Sequence, residues 1–84
     1  MGGMKYITYD RPYSYRAIII FPSDIDHAMA ANAFNIDADI ILGAGFVSRH
    51  SDGNLYCHGS SHSLKVLSRG DEDTAILDRL TIRD

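Results

Sequence analysis

The run Ala17-Ile18-Ile19-Ile20-Phe21 constrains this chain more than any other stretch. Consecutive isoleucines between an alanine and a phenylalanine leave no polar face to turn toward water. The run is far shorter than the ~20 apolar residues that cross a bilayer. Its β-branched side chains are stiff and suit a pleated strand. YRAIIIFPS (15–23) therefore reads as a strand buried on both faces and central in its sheet. KYITYD (5–10) is predicted as its hairpin partner, with Pro12 marking the turn between them.

A chain of 84 residues, 45% hydrophobic and 23% charged, supports one such core. The expected organisation is a single domain over 1–84, with 1–3 as a loose, disordered start. The only cysteine, Cys57, has no internal partner for a disulfide, and no basic-then-apolar leader is visible. Both features point to a reducing cytosol.

SDIDHAMAANAF (23–34) is predicted as a helix capped by Ser23, with Asp26 completing a capping box. Ile25, Ala28, Met29 and Ala33 would form its buried stripe, leaving His27 on the exposed or boundary side. NIDADIILGAG (35–45) suits a short helical turn capped by Asp37, with a strand from Ile40 as the alternative. GFVSRH and NLYCHGS flank Asp52-Gly53, a strong hairpin signal. A two-residue turn there sets His50 against Leu55, Ser48 against Cys57 and Phe46 against Gly59. Leu64, Val66 and Leu67 are expected to tuck into the core from a connection. SRGDEDTAILDRLTIR (68–83) reads as a second helix, capped by Ser68 or Asp71, with Ile76, Leu77 and Leu80 as its apolar stripe. The fold class is α+β in the order ββαββα: an antiparallel sheet of about four strands with two helices packed on one face.

Net charge is −3, which argues against a nucleic-acid binder relying on a general positive field. The acids are segregated. Asp24, Asp26, Asp37 and Asp39 occupy one segment that holds no Lys or Arg, and Asp71, Glu72 and Asp73 crowd the start of the second helix. Acids in a first helical turn favour the helix dipole, and the same charges would suit a basic protein partner. The candidate partner-binding residues are Asp24, Asp26, Asp71, Glu72 and Asp73.

RHSDGNLYCHGSSH (49–62) raises a different chemistry, because it gathers His50, His58 and His62 with Cys57. His58-x3-His62 supplies half of a zinc pattern, and Asp52 is the remaining donor for a site made of His58, His62 and Asp52. No second cysteine pair completes it, so no metal and no cofactor is expected. Cys57 with His50 and Asp52 would be the nucleophile arrangement, but a thiol facing the core behaves as a small hydrophobe. Arg16, Arg49, Tyr13, Tyr15 and Tyr56 could form a stacking sheet for single strands, without the motifs that mark ribonucleoprotein domains. The alternative to a binding protein is thus a small metal-dependent or nucleic-acid-acting protein centred on the hairpin of His50, His58 and His62.

Ala44-Gly45-Phe46-Val47, then Cys57 with Gly59 and Ser61, Ser63-Leu64, Ser68-Arg69 and Glu72-Asp73 follow one another through the second half of the chain. This succession resembles short bacteriophage and prophage accessory proteins. The resemblance implies a non-enzymatic protein of a bacterial host cytoplasm. It also implies inhibition of a host defence complex, in the manner of anti-CRISPR proteins, as one role. It transfers no catalytic residue.

Overall fold

The computed structural model of the chain describes residues 3–11 and 16–81, the side chains of residues 80 and 81 excepted. The expected turn at Pro12, the rings of Tyr13 and Tyr15, the start at 1–2 and the side chain of Leu80 lie outside it.

The elements are β1 (Met4–Tyr9), β2 (Ala17–Pro22), α1 (His27–Ala33), a 3₁₀ turn (Ala38–Ile40), β3 (Ile41–Arg49), β4 (Leu55–His58), β5 (Ser60–Ser61), β6 (Val66–Leu67) and α2 (Asp71–Thr81). The first four strands to pair form an antiparallel sheet in the order β2-β1-β3-β4, and β5 pairs with β6 in a small second sheet. The α+β class and the predicted order of elements are found.

The centre of the sheet is not the isoleucine run. β1 takes that place, with Tyr6, Ile7 and Thr8 fully buried, while β2 lies at one margin. Ile19 and Phe21 pack on the same side as Ile7, and Ile18 packs on the side of Tyr6. Ile20, at 40% exposure, remains open to solvent. An apolar run is thus buried on one face and thinly covered on the other.

Neighbouring residues of a strand point to opposite faces, and β1 uses this to serve two cores. Ile7 joins Phe21, Ala30, Ala31, Ile36 and Ala44 on the α1 side. Tyr6 joins Val47, Cys57 and Leu77 on the α2 side. The two helices therefore flank the sheet instead of sharing one face. Each helix is apolar on one stripe only, and a sheet with two apolar faces needs both to cover it.

α1 begins at His27, later than the predicted Ser23. Residues 23–26 form a turn in which Ile25 N–H donates to Pro22 O (3.1 Å). Asp26 is the cap by backbone geometry but makes no side-chain cap bond. An open N–H of the first turn is taken instead by Ser63, whose Oγ accepts from Ala28 N (3.1 Å). The buried stripe is His27, Ala30 and Ala31, so the predicted phase is wrong: Met29 is 64% exposed and Ala28 and Ala33 face solvent. The 3₁₀ turn capped by Asp37 and a strand from Ile41 both exist, so segment 35–45 resolves into both readings in succession.

The hairpin after β3 is present, one residue out of the predicted register. Arg49 pairs with Leu55, Ser48 with Tyr56, Val47 with Cys57 and Phe46 with His58. His50 N–H donates to Asn54 O (2.7 Å), which widens the loop beyond a two-residue turn. A slip of one residue moves every side chain to the other face. Phe46 accordingly shares a face with His58, not with Leu55 and Cys57. Beyond it, Leu64 and Val66 pack against the α1-side core, while Leu67 is 73% exposed. α2 lies beside β4, and Thr74 Oγ1 accepts the N–H of Cys57 (2.9 Å).

Candidate functional site

Of the five acids expected at a partner surface, Asp73 is not on the surface at all: its exposure is 0%. It sits in the first turn of α2 and points into the sheet. Tyr6 Oη donates to its Oδ2 (2.5 Å) and Thr8 Oγ1 to its Oδ1 (2.9 Å). Arg69 contributes its backbone N–H (2.9 Å) and its Nε–H (2.9 Å), and its Nη2 lies 2.8 Å from Oδ1 as an ion pair. Tyr6 has one proton, and the carboxylate is the stronger acceptor. Ser68 must then donate to the phenol oxygen, 2.6 Å away, while accepting from Gly70 N (3.0 Å). Burial by itself would raise the Asp73 carboxyl, but the bonds from Tyr6, Arg69 and Thr8 outweigh it and hold the group below the usual carboxylate range. Burial, reinforced by Asp73, pushes the Tyr6 phenol far up.

A carboxylate so fully bonded is a structural clasp between α2 and β1. The signals for it were present in polar residues on a buried strand, Tyr6-x-Thr8, and in a glycine of the neighbouring strand. A Cβ at Gly43 would collide with the Asp73 carboxylate. Periodicity within α2 also puts Asp73 on the stripe of Ile76 and Leu77, three and four positions on, but acids of a first turn normally face water.

Asp24, Asp26, Asp71 and Glu72 are exposed. They do not make one surface. Asp24 and Asp26 belong to the α1 layer, while Asp71 and Glu72 start α2 on the opposite side of the sheet. Glu72 is also partly offset by Arg69, 3.9 Å away. In the α1 layer the acids are joined by Asp37 and Asp39, also exposed, and by two large apolar side chains that face solvent, Met29 (64%) and Phe34 (60%).

The hairpin histidines are dispersed. His58 Nε2 meets Ser48 Oγ at 2.6 Å. His50 stacks on Tyr56 with ring centroids 4.1 Å apart, and Tyr56 leads on to His58 (5.2 Å) and His58 to Phe46 (6.1 Å). Asp52 accepts from Asn54 N (3.0 Å) in the turn. His62 lies beside His27 in a separate cleft. Among the described residues, His58, His62 and Asp52 do not come together in a group able to hold a metal ion.

Cys57 is buried, and burial pushes its thiol up to about 11, against the pull of bonds from Thr74 and Tyr6. A thiol in that state is a poor nucleophile at neutral pH. His27, expected near the surface, is 3% exposed. Its Nε2 lies 2.9 Å from Gly45 O, and its ring meets Phe21 and Phe46 edge-on. Burial lowers its proton affinity, Gly45 and Asp26 act the other way, and Lys5 adds to the lowering. The neutral ring is a core residue held by one long-range bond.

No helix among the described residues is long and apolar enough to cross a membrane. Comparison with protein-family models, curated proteins and solved structures finds no match to this chain.

Proposed function

We propose that this domain acts by binding a basic protein surface through the outer side of its α1 layer, without catalysing a reaction. The observation behind this reading is the company kept by Met29 and Phe34. Two large apolar side chains stand in solvent within a segment whose Asp24, Asp26, Asp37 and Asp39 are all exposed and that contains no Lys or Arg. Apolar anchors within a charged rim are the usual anatomy of a docking patch. The acidic rim would steer encounter with a Lys/Arg-rich surface. The groups that could do chemistry have other duties: Asp73 clasps α2, His27 sits in the core and Cys57 holds its proton. The resemblance to phage accessory proteins adds the kind of partner, a host complex whose basic groove otherwise carries nucleic acid.

The test is capture of such a partner by the immobilised domain from a bacterial host lysate, with duplex DNA as competitor. A basic protein should be retained at low salt, released by DNA, and lost by a variant carrying Asp24→Asn, Asp37→Asn, Asp39→Asn and Phe34→Ser. Equal retention by a folded variant would defeat the reading. Dependence on His50, His58 and His62 would favour a nucleic-acid-acting surface built on the ring row from Phe46 to His50.

A further inference from the structure

A cleft of about 210 Å³ opens between the turn preceding α1, the sheet and the turn after β5, and its lining includes Lys5, Asp26, His27, Phe46, Ser60 and Ser63. Lys5 and Asp26 border the same small space yet form no ion pair with each other among the described residues. Lys5 Nζ spends one N–H on Ile25 O (2.9 Å), which leaves two to donate. Ser63 Oγ accepts from Ala28 N and keeps its own proton to give.

His27 supplies the decisive group. Gly45 O can only accept, so Nε2 must carry the hydrogen of their 2.9 Å bond. In the neutral ring this leaves Nδ1 as a bare lone pair, and it has no hydrogen-bond partner among the described residues. That nitrogen is not sealed from solvent, which leaves it reachable from the cleft that His27 lines. Both charges of the cleft reach the ring, since Asp26 raises and Lys5 lowers its proton affinity after the larger lowering by burial.

We propose that the cleft binds a small zwitterion of the free amino-acid type. Its ammonium is held by Asp26 and His27 Nδ1, its carboxylate by Lys5 and the Ser63 hydroxyl, and its carbon body rests on the Phe46 ring. A ligand with one charge would engage Lys5 or Asp26 but not both, whereas a zwitterion meets the two together. This site shares Asp26 with the acidic rim but uses none of Met29, Phe34, Asp24, Asp37 and Asp39, so the titration below and the capture test read different residues.

NMR titration of the ¹⁵N-labelled protein with L-leucine tests it. The His27 Nδ1 signal should move saturably as the nitrogen accepts a hydrogen bond, together with the amide signals of Lys5 and Asp26. N-acetylleucine lacks the ammonium and leucinamide lacks the carboxylate, and each should bind roughly tenfold or more weakly, the effect of losing one charge-assisted hydrogen bond. Lys5→Met should bind leucine and leucinamide alike. Asp26→Asn should bind leucine and N-acetylleucine alike. No saturable shift up to the solubility of leucine, or equal binding of all three ligands by the unmodified protein, would overturn the proposal.

Discussion

At Asp73 the hydroxyls of Tyr6 and Thr8 and two N–H groups of Arg69 converge on one carboxylate shut away from solvent. Hydrogen bonds to a charged group contribute about 1.5–3 kcal/mol each, and the loss of one leaves the rest of the buried charge less compensated. Tyr6→Phe should therefore lower stability by roughly 2 kcal/mol without changing the shape of the core. The pH dependence has a definite sign. The Asp73 carboxyl is depressed in the folded state, so its stabilisation is complete above the unfolded value of ~3.9 and drains away as pH falls toward the folded value. The Tyr6 phenol is raised, so its contribution is complete below the unfolded value of ~10 and is lost as pH rises beyond it. Thermal melts across pH should show a plateau between those limits and a decline on each side. Asp73→Asn should flatten the acid decline, and an unchanged acid limb in that variant would show that the clasp does not govern it. The spacing of Asp73 to Ile76 and Leu77, three and four positions later, puts it on the inner stripe of α2, but does not say whether a carboxylate there finds partners. That depends on what the sheet presents to the third position.

Strand β3 meets α2 at a glycine, and the element packs as it does because of it. A methyl group at Gly43 would occupy the place of the Asp73 carboxylate. Gly43→Ala should cost at least the 1–3 kcal/mol typical of overpacking, since the obstructed neighbour is charged and bonded on all sides. Denaturant melts measure this, and a variant as stable as the parent would mean that α2 slides aside cheaply. The elements themselves were readable: the Tyr, Ile and Thr of KYITYD marked β1, Asp-Gly marked the hairpin, and Ile76 and Leu77 marked the inner side of α2. Their phases were less so. Asp52 binds Asn54 N–H and His50 N–H binds Asn54 O, and those contacts lengthen the loop and shift Phe46 to the His58 face. α1 has just under two turns of alanine-rich sequence from which to choose a buried side. The choice falls to His27 through its bond to Gly45, a residue 18 positions away, and to Ser63 as a distant cap. Short helices leave such decisions to tertiary contacts, and no local pattern records them.

The whole molecule is organised around β1, which sends Ile7 into one core and Tyr6 into the other. Shared backbone ties the two sides together, so they should unfold as one unit. Leu77→Ala, at about 2–5 kcal/mol, and Ala30→Gly, at about 1 kcal/mol, should each lower the midpoint of a single transition. Far-UV circular dichroism and tyrosine fluorescence would report that transition together, and two separate midpoints would contradict it. This arrangement also explains why the two acidic clusters of the sequence end on two layers: a central strand with two apolar faces requires a helix on each. Composition showed that a single domain was within reach, but not which strand would be its centre. β4 forms one margin of the sheet. A margin strand with open N–H groups is a template on which another chain can add itself, copy after copy. The Thr74 hydroxyl occupies the N–H of Cys57 in the middle of that strand. The same threonine that anchors a helix in one molecule thereby blunts the edge along which a crowded population of molecules would begin to aggregate.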